Sequence, residues 1–331
     1  MPSSGKWWTA SPSFIREVIN AEDLARVPDT DWVVASSMAS ASRERGCLYL
    51  INIRDKSWTA LYGEEFKSST GRSKGSPARK TPTIFAPHGI SIRAGDEGVH
   101  TLYVINHGGR ESIEVFEIDA DRAKPTLKWL DSIMMPRNTW ANDLVPVPGG
   151  GLLVTNMFDP EDPDVSAKMV KGEPTGHVLE WRDNGGWKDI VGSEMSGPNG
   201  IEVSKDGRWI YVAGWPTKSL VRFSRGSETK RDVIATGHLT DNLTWDSEGW
   251  ILATGQDSTP QEFWLKYDHE DLVYFPFTVL RVHPDTLETQ EIIRYGSDQF
   301  GTGTVAVEIK DEIWVGSSRG NKIACFRFGK N

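Results

Sequence analysis

The sequence is poor in cysteine and has no long apolar run. Only two of its 331 residues are cysteines, Cys47 and Cys325, and they form no Cys-x-x-Cys pair, which excludes a zinc ribbon or a thioredoxin-like site. Both lie in strand-like runs, so we expect two buried free thiols, with a disulfide as the alternative. No stretch approaches the roughly 18 consecutive apolar residues of a membrane-spanning helix, so we expect no membrane span.

Positive charge is also scarce. The net charge is −9, which argues against a nucleic-acid binder that holds phosphates with Lys and Arg. The first residues contain no apolar segment of the kind that a signal peptide needs. We therefore expect a cytoplasmic location for the chain as written, and a periplasmic or secreted one if a leader has been removed.

Helical periodicity is nearly absent. Its best example, "PSFIREVINAEDLARV" (12–27), is short and overlaps a strand pattern. The sequence contains instead 32 Gly, 18 Pro and 14 Trp. Short runs rich in Trp, Val, Ile and Tyr between Gly and Asp clusters are typical of strands joined by turns.

Six related segments repeat along the chain. Each has a polar first residue, an alternating strand, a Gly/Asp/Pro turn and an apolar strand, and a third strand usually follows. Six such units, which start roughly 40 to 65 residues apart, predict an all-β fold, a six-bladed β-propeller; a β-sandwich with chance similarity among its hairpins is the alternative. We expect one domain over residues 1–331, with an N-terminal segment over about 1–20. The polar first residues are Glu22, His88, Asn142, Asn199, Asp241 and Thr304.

These first residues are expected to meet at one end of the central channel, because the first strand of each propeller blade lines it. Four of them carry a carboxylate or amide oxygen, and Asn242 adds a fifth. Calcium binds six to eight such oxygens in flexible geometry, whereas magnesium demands a tight octahedron. Zinc is less suited still, because this set is rich in amides and contains no thiol. The sequence therefore predicts a calcium site on Glu22, Asn142, Asn199, Asp241 and Asn242.

Two further features accompany this predicted site. Asp23 and Asp143 follow two of the first residues and point away from the channel, where they could hold a second, buried cation; two carboxylates satisfied by backbone amides are the alternative.

His107 ends the strand that follows His88, and antiparallel neighbours can bring two such side chains together. An imidazole is the usual general base near neutral pH, and a structural role for the histidines is the alternative.

The sequence resembles the paraoxonase family. The most specific match is "PHGISI" followed by "LYVINHGGRESIEVFEID", and "AEDLARVPD", "WANDLVPV", "GPNGIEVSKDGRWIYVA" and "TDNLTWD" match in family order across residues 21–328. The resemblance implies a calcium-dependent lactonase and arylesterase on a six-bladed propeller, related to the gluconolactonase and strictosidine-synthase groups. It also implies a catalytic calcium on the five oxygen donors named above, a structural calcium on Asp23, Asp143 and the Ile90 carbonyl, and a His88–His107 dyad.

The expected reaction is hydrolysis of a lactone or an aryl ester. The calcium would polarise the carbonyl and stabilise the negative charge on its oxygen, while His88, polarised by His107, takes a proton from the attacking water; Asp241 is an alternative base. Four aromatic residues in expected loops are candidates for an apolar substrate pocket, with blade packing as the alternative: Trp140, Phe158, Trp215 and Phe263.

Three features depart from the family pattern. Animal members close the propeller with a disulfide from the N-terminal segment to the last strand; Cys325 matches one partner, but its counterpart falls near Ser11. The basic segment 66–82 is expected to be a flexible loop. The segment 158–176 matches no family pattern that we can use, and we expect both segments to shape the channel mouth.

Other functions are compatible with parts of the sequence. A phosphotriesterase or a sugar-lactone hydrolase would use the same metal site. A non-enzymatic propeller that binds a protein partner has no need of cation ligands at the channel mouth, and a lyase like the strictosidine-synthase group does not share this ligand set. The expected partner is a small-molecule lactone or ester, and the sequence does not predict an oligomeric state.

Overall fold

Short alternating runs separated by Gly, Asp and Pro turns form six four-stranded antiparallel sheets. In the computed structural model these sheets are the blades of a six-bladed β-propeller, as predicted. The structure describes residues 11–40, 42–61, 81–121, 123–225, 230–267 and 273–327. All but the last two residues of the predicted flexible loop 66–82 therefore lie outside the described part of the chain.

The blades follow one another along the chain, and each runs from an inner to an outer strand. The first strand, β1 (Ser13–Arg16), belongs to the last blade. Blades 1 to 3 contain β2 (Ala21–Arg26), β3 (Trp32–Ser37), β4 (Cys47–Asn52) and β5 (Trp58–Leu61); β6 (Pro87–Arg93), β7 (Val99–Asn106), β8 (Ser112–Asp119) and β9 (Thr126–Met134); and β10 (Trp140–Pro146), β11 (Leu152–Phe158), β12 (His177–Arg182) and β13 (Gly186–Asp189).

The second half of the chain repeats this order. Blades 4 to 6 contain β14 (Pro198–Val203), β15 (Trp209–Gly214), β16 (Ser219–Ser224) and β17 (Arg231–Ala235); β18 (Leu239–Trp245), β19 (Ile251–Gln256), β20 (Phe277–Val282) and β21 (Thr289–Tyr295); and β22 (Gly303–Ile309), β23 (Glu312–Ser317) and β24 (Lys322–Arg327). The inner strand of each blade contacts that of the next, and β22 contacts β2. The six inner strands therefore surround one channel.

Blade 6 is completed by the N-terminal strand. β1 pairs antiparallel with β24, and Ser13 lies opposite Cys325. The counterpart of Cys325 was expected near Ser11, and the register places it two residues later. Cys47 and Cys325 are both buried free thiols in one cluster between blades 6 and 1, which confirms the prediction for them.

Buried apolar side chains fill each boundary between neighbouring blades. Between blades 1 and 2, for example, Val34 and Leu50 belong to the same cluster as Leu102 and Phe116, and corresponding clusters lie at the other five boundaries. Full burial of such a side chain contributes about 1.5–3 kcal/mol. The blades are therefore held together by apolar packing between their faces. The side chains that line the channel can for this reason be polar.

In the described part of the chain two short helices lie between strands, α1 (Val165–Lys171) and α2 (Pro260–Tyr267), and they contact each other. α2 begins with a capping box: the Glu262 N–H donates to Thr259 Oγ1 at 3.2 Å, the Glu262 carboxylate accepts from the Thr259 N–H at 3.1 Å, and Pro260 follows the cap. Neither helix was predicted, although α1 lies in the segment 158–176. Among the described residues no helix has the length and apolar character to cross a membrane.

Candidate functional site

A β-bulge interrupts the inner strand of every blade at the predicted polar residue. The regular pairing is broken between Ala21 and Asp23, Pro87 and Ile90, Ala141 and Leu144, Pro198 and Ile201, Thr240 and Leu243, and Gly303 and Ala306. A bulge takes a residue out of the ladder and redirects its side chain. Asp and Asn are disfavoured in regular strands, and the bulge is why they are tolerated at these positions.

Two glycines let neighbouring bulges approach closely. A Cβ on Gly89 would lie 2.5 Å from the Asn142 carbonyl oxygen, and one on Gly200 would lie 2.4 Å from the Asp241 carbonyl oxygen. Each glycine follows one of the polar first residues, in "PHGI" and "PNGI". Glycine is needed there because the next blade's backbone occupies the space of a side chain.

The five predicted calcium ligands are all buried at this end of the channel. The Asn242 amide donates to Glu22 Oε1 at 2.9 Å, and the Gln256 amide donates to Asp241 Oδ2 at 2.7 Å. Four of the ligand oxygens are buried and make no hydrogen bond, and they are Glu22 Oε2, Asn142 Oδ1, Asn199 Oδ1 and Asn242 Oδ1. Buried acceptors are rarely left unpaired because the loss of water is costly, so this set fits a hard cation.

The charge of the cluster also favours a cation. Burial, and then the neighbouring carboxylates of Asp241 and Asp23, hold the pKa of Glu22 well above its usual range. Burial raises the pKa of Asp241 to about 7. Among the described residues no group of three or more His, Cys, Asp and Glu side chains is arranged around a metal position. The fit therefore depends on the amide oxygens, which calcium accepts and zinc does not favour.

The carboxylates of Asp23 and Asp143 lie one position further along their strands and have a different environment. Asp23 accepts the N–H groups of Leu24 and Ile90, both at 2.7 Å. Asp143 accepts those of Leu144 and Ile201 at 2.7 and 2.9 Å. Burial and the charge of Asp23 hold the pKa of Asp143 well above its usual range. Each carboxylate oxygen thus has a backbone partner, in contrast to the unpaired oxygens of the first cluster.

The two predicted histidines lie in contact, and a glutamate extends the pair. His88 Nδ1 is 2.8 Å from His107 Nε2, and His107 Nδ1 is 2.8 Å from Glu111 Oε2. The other oxygen of Glu111 accepts the Ala141 N–H at 2.7 Å. The chain of three residues ends at His88 Nε2, which is 3.7 Å from Glu22 Oε1.

The glutamate decides where the protons of this chain lie. A carboxylate at His107 Nδ1 requires a proton on that nitrogen, so His107 Nε2 accepts from the N–H of His88 Nδ1. His88 Nε2 is then left without a proton and faces the oxygen cluster. Burial first, and then the nearby charge of Arg319, hold the pKa of His88 well below its usual range, so this imidazole is neutral at pH 7.

The four aromatic residues proposed for a substrate pocket share one apolar cluster. Trp140 stacks on His107 with ring centroids 4.2 Å apart, and Phe158 stacks on Trp140 at 5.6 Å. Trp215 packs edge-on against Phe263 at 5.0 Å. Their expected location in loops was wrong for three of them: Trp140 begins β10, Phe158 ends β11 and Phe263 lies in α2.

The profile of the arylesterase family matches residues 19–325 of the sequence. The chain belongs to the arylesterase family. Among relatives of this arylesterase-family protein, human serum paraoxonase/lactonase 3 is 28% identical over 193 residues, which are 57% of this chain and 53% of that protein. Rat serum paraoxonase/arylesterase 2 is 25% identical over 193 residues, 56% of this chain and 52% of that protein. The chain thus spans about half the length of the curated relatives that it matches.

Solved structures share the architecture of this arylesterase-family chain. A protein provisionally described as a gluconolactonase superposes with a TM-score of 0.59 at 14% identity and covers 98% of this chain and 94% of its own. Luciferin-regenerating enzyme superposes with a TM-score of 0.56 at 13% identity and covers 96% of each chain. At such low identity these similarities establish the propeller fold alone.

Sequence reasoning missed two polar residues of the arylesterase-family site. Glu111 follows His107 by four residues in a Gly-containing loop, where no periodicity marks a carboxylate as functional. Gln256 ends β19 and bridges Asp241 to the Trp215 indole, whose N–H donates to Gln256 Oε1 at 3.1 Å. The only available signal was that a polar Gln ends a mostly apolar strand.

Proposed function

We propose that this protein is a calcium-dependent hydrolase that opens lactones and cleaves aryl esters. The observation that carries the proposal is the set of four unpaired buried oxygens beside the bare Nε2 of His88. Membership of the arylesterase family and the names of the relatives, which include lactonases and arylesterases, support the same chemistry.

The residues divide into ligands and a base. Glu22, Asp241 and the amide oxygens of Asn142, Asn199 and Asn242 would hold the ion, which when bound supplies Lewis-acid polarisation of the substrate carbonyl. His88 Nε2 takes a proton from the attacking water, and a positioned base of this kind contributes about 10²–10⁴-fold to the rate. The aromatic cluster around Trp140 would exclude water from the apolar part of the substrate.

A second, structural calcium on Asp23, Asp143 and the Ile90 carbonyl is part of the proposal. Its support is the proximity of two buried carboxylates on blades 1 and 3, on either side of the inner strand of blade 2 that carries Ile90. Their oxygens each accept one N–H and retain a second lone pair. Calcium analysis of the purified protein tests this point directly, because two ions are expected per chain and the first cluster alone accounts for one.

The test is a substrate panel with a chelator control. We expect turnover of γ- and δ-lactones or phenyl acetate with calcium, and its loss with EDTA; gluconolactone and a phosphotriester report on the alternative hydrolases. Asp241→Ala should lower kcat/KM at least a hundredfold (about 10² or more) and weaken calcium binding. His88→Gln should lower kcat by about 10² with calcium affinity nearly unchanged.

Asp311→Ala is the matched control, since this exposed carboxylate lies in the turn between β22 and β23. It should leave turnover and calcium affinity unchanged. Calcium binding without turnover of any substrate in the panel would favour a binding propeller over a hydrolase. An unchanged rate in His88→Gln would remove His88 from the mechanism.

A further inference from the structure

An arginine lies almost fully buried beside the candidate site. Arg319 follows β23 and is 7% exposed. Among the arginines that the structure describes, it is the only one that is buried to this extent. A guanidinium does not lose its proton in a protein. The positive charge of Arg319 is therefore present at the channel mouth at every relevant pH.

The partners of this charge are neutral. Arg319 Nη1 donates to the Ser318 carbonyl at 3.0 Å and lies at the limit of hydrogen bonding, 3.5 Å, from that of Ala39; Nε donates to the Tyr267 carbonyl at 3.4 Å. The guanidinium also lies 3.8 Å from the centroid of the Tyr267 ring. No ion pair joins Arg319 to a carboxylate among the described residues.

Other partly buried arginines contrast with Arg319. Arg281 lies 2.6 Å from Asp246, and Arg222 lies 2.6 Å from Asp232. Removal of an unpaired charge from water is strongly unfavourable, and cation–π contact and long bonds to carbonyls offset this only in part. Arg319 therefore has the capacity to bind an anion that the described residues do not supply.

The position of Arg319 connects it to the reacting centre. Its charge is close enough to His88 to lower the pKa of that imidazole. Tyr267, on which it stacks, has a pKa of about 12, which burial raises most and the carboxylates of Asp241 and Glu22 raise further. The neighbouring Ser318 hydroxyl is buried, at 2% exposure, and lies close to the Tyr267 hydroxyl. A cation that has no carboxylate partner among the described residues thus lies beside the site.

We propose that Arg319 is the specificity residue of the hydrolase and binds a carboxylate carried by the substrate. This inference rests on the proposed function and names the substrate class: lactones or esters that bear a second, anionic group near the reacting carbonyl. The pairing agrees with this, because Glu22 and Asp241 would balance a bound calcium ion, Glu111 is held by His107, and no described carboxylate forms an ion pair with Arg319. A planar guanidinium suits a carboxylate through paired N–H donors.

The test compares two lactones that differ only in charge. 5-Oxotetrahydrofuran-2-carboxylate and its carboxamide have the same ring and nearly the same shape. We expect the calcium-loaded wild type to prefer the acid by about ten- to a hundredfold in kcat/KM, the range expected of a charge-assisted hydrogen bond. In Arg319→Met the acid-to-amide ratio should fall by the same factor.

Two further variants separate recognition from folding and net charge. Arg319→Lys keeps the charge without the planar pair of donors and should retain part of the preference. Arg54→Met removes an exposed positive charge, 77% exposed, far along the blade, and should keep the wild-type ratio. Equal rates on the two lactones in the wild type, or a preference that survives in Arg319→Met, would overturn the proposal.

A binding experiment separates this proposal from the proposed function. If neither lactone is hydrolysed, the hydrolase assignment fails, and calorimetry with glutarate still tests Arg319. Glutarate should bind calcium-loaded wild type at least about tenfold more tightly than Arg319→Met. Equal affinity would show that the carboxylate does not use Arg319, and thermal melting of each variant verifies that it is folded.

Discussion

At the scale of single residues, the orientation of the side-chain amides is what makes the oxygen cluster usable. The Asn242 nitrogen donates to Glu22, the Asn142 nitrogen faces Met157 Sδ at 3.6 Å, and the Asn199 side chain hydrogen-bonds Asp241. In each case a nitrogen is used within the protein and the oxygen is left unpaired. The hydrogen-bond network therefore pairs the amide N–H groups within the protein and leaves the amide oxygens available to coordinate a cation.

Glu111 allows the proton relay to be tested by one substitution. Glu111→Gln preserves the size of the side chain but removes the charge that holds a proton on His107 Nδ1. An amide can donate to that nitrogen instead, which would reverse both tautomers and protonate His88 Nε2. We expect kcat to fall by about ten- to a hundredfold, since the base is then mispositioned or blocked.

The readout that separates the relay from a folding defect is calcium affinity together with the melting temperature. Both calcium affinity and melting temperature should remain near the wild-type values, because Gln can still accept the Ala141 N–H. Glu111→Asp should recover part of the rate by restoring the carboxylate. Full activity in Glu111→Gln would remove the carboxylate from the relay.

A second residue-scale prediction concerns stability in acid. His238 is buried, at 1% exposure, and burial lowers its pKa to about 4. The unfolded chain takes up this proton near pH 6.5, so the stabilisation from a neutral His238 is complete above pH 6.5 and is lost as the pH falls towards 4. The loss amounts to about 3 kcal/mol.

Urea denaturation between pH 7 and 4 measures this loss. His238→Gln cannot take up the proton and should lose part of the acid slope of wild-type stability. His177→Gln replaces a more accessible histidine, with 29% of its side chain exposed, and serves as the control. An identical slope in wild type and His238→Gln would refute the assignment.

At the scale of strands and helices, the sequence predicted the inner and middle strands but not the outer strands or the helices. The inner and middle strands were predictable because apolar residues alternate towards two packed faces, and the polar first residues recur at the bulges. The outer strands were not recognised: β17 reads "RDVIA" and β21 reads "TQEIIRY", with most residues exposed. An edge strand buries too little surface to mark its period. The capping box "TPQE" of α2 was a usable helix signal that the strand pattern obscured.

The closing strand provides the element-scale prediction. Ser13 lies opposite Cys325 in the β1–β24 pair, and its hydroxyl is close enough to hydrogen-bond the thiol. Opposed residues of antiparallel strands have Cα atoms about 4.5–5.5 Å apart, which suits a disulfide. Ser13→Cys should therefore form a bond with Cys325 under oxidising conditions and stabilise the protein by about 2–4 kcal/mol.

Melting with and without a reductant checks this bond. The stabilisation should disappear when the disulfide is reduced, and it should be absent in Ser13→Cys combined with Cys325→Ser, where Cys47 is the only other thiol. A mixed disulfide with Cys47, detected by peptide mapping, or no change in melting would contradict the register of β1.

At the scale of the whole molecule, circular closure explains which parts of the site were predictable. Six equivalent strands around one axis bring residues as distant in sequence as Glu22 and Asn242 within 2.9 Å, so a repeat pattern was enough to group the ligands. Arg319, Glu111 and Gln256 lie outside the repeated position. Their positions depend on loops and strand ends that differ from blade to blade. A sequence repeat therefore does not predict where these side chains lie.

The same geometry predicts a large effect of calcium on stability. The five ligands come from four blades, so an ion bound to the folded state alone ties these blades together. Calcium at a hundred times its dissociation constant adds about 2.7 kcal/mol, which corresponds to roughly 4 °C of melting temperature for a protein of this size. Magnesium at the same concentration should give a much smaller shift, since it demands near-octahedral geometry.

Asp241→Ala separates bound ion from general salt effects. The variant should lose the part of the calcium-dependent shift in melting temperature that comes from the first cluster, and it should keep only the part that comes from the second ion. In EDTA we expect no large change from the wild-type stability, because the substitution removes a carboxylate whose charge burial opposes but also leaves the Gln256 amide without its acceptor. A calcium-dependent shift in melting temperature of equal size in wild type and Asp241→Ala would mean that the ion does not bind at the oxygen cluster at the channel mouth.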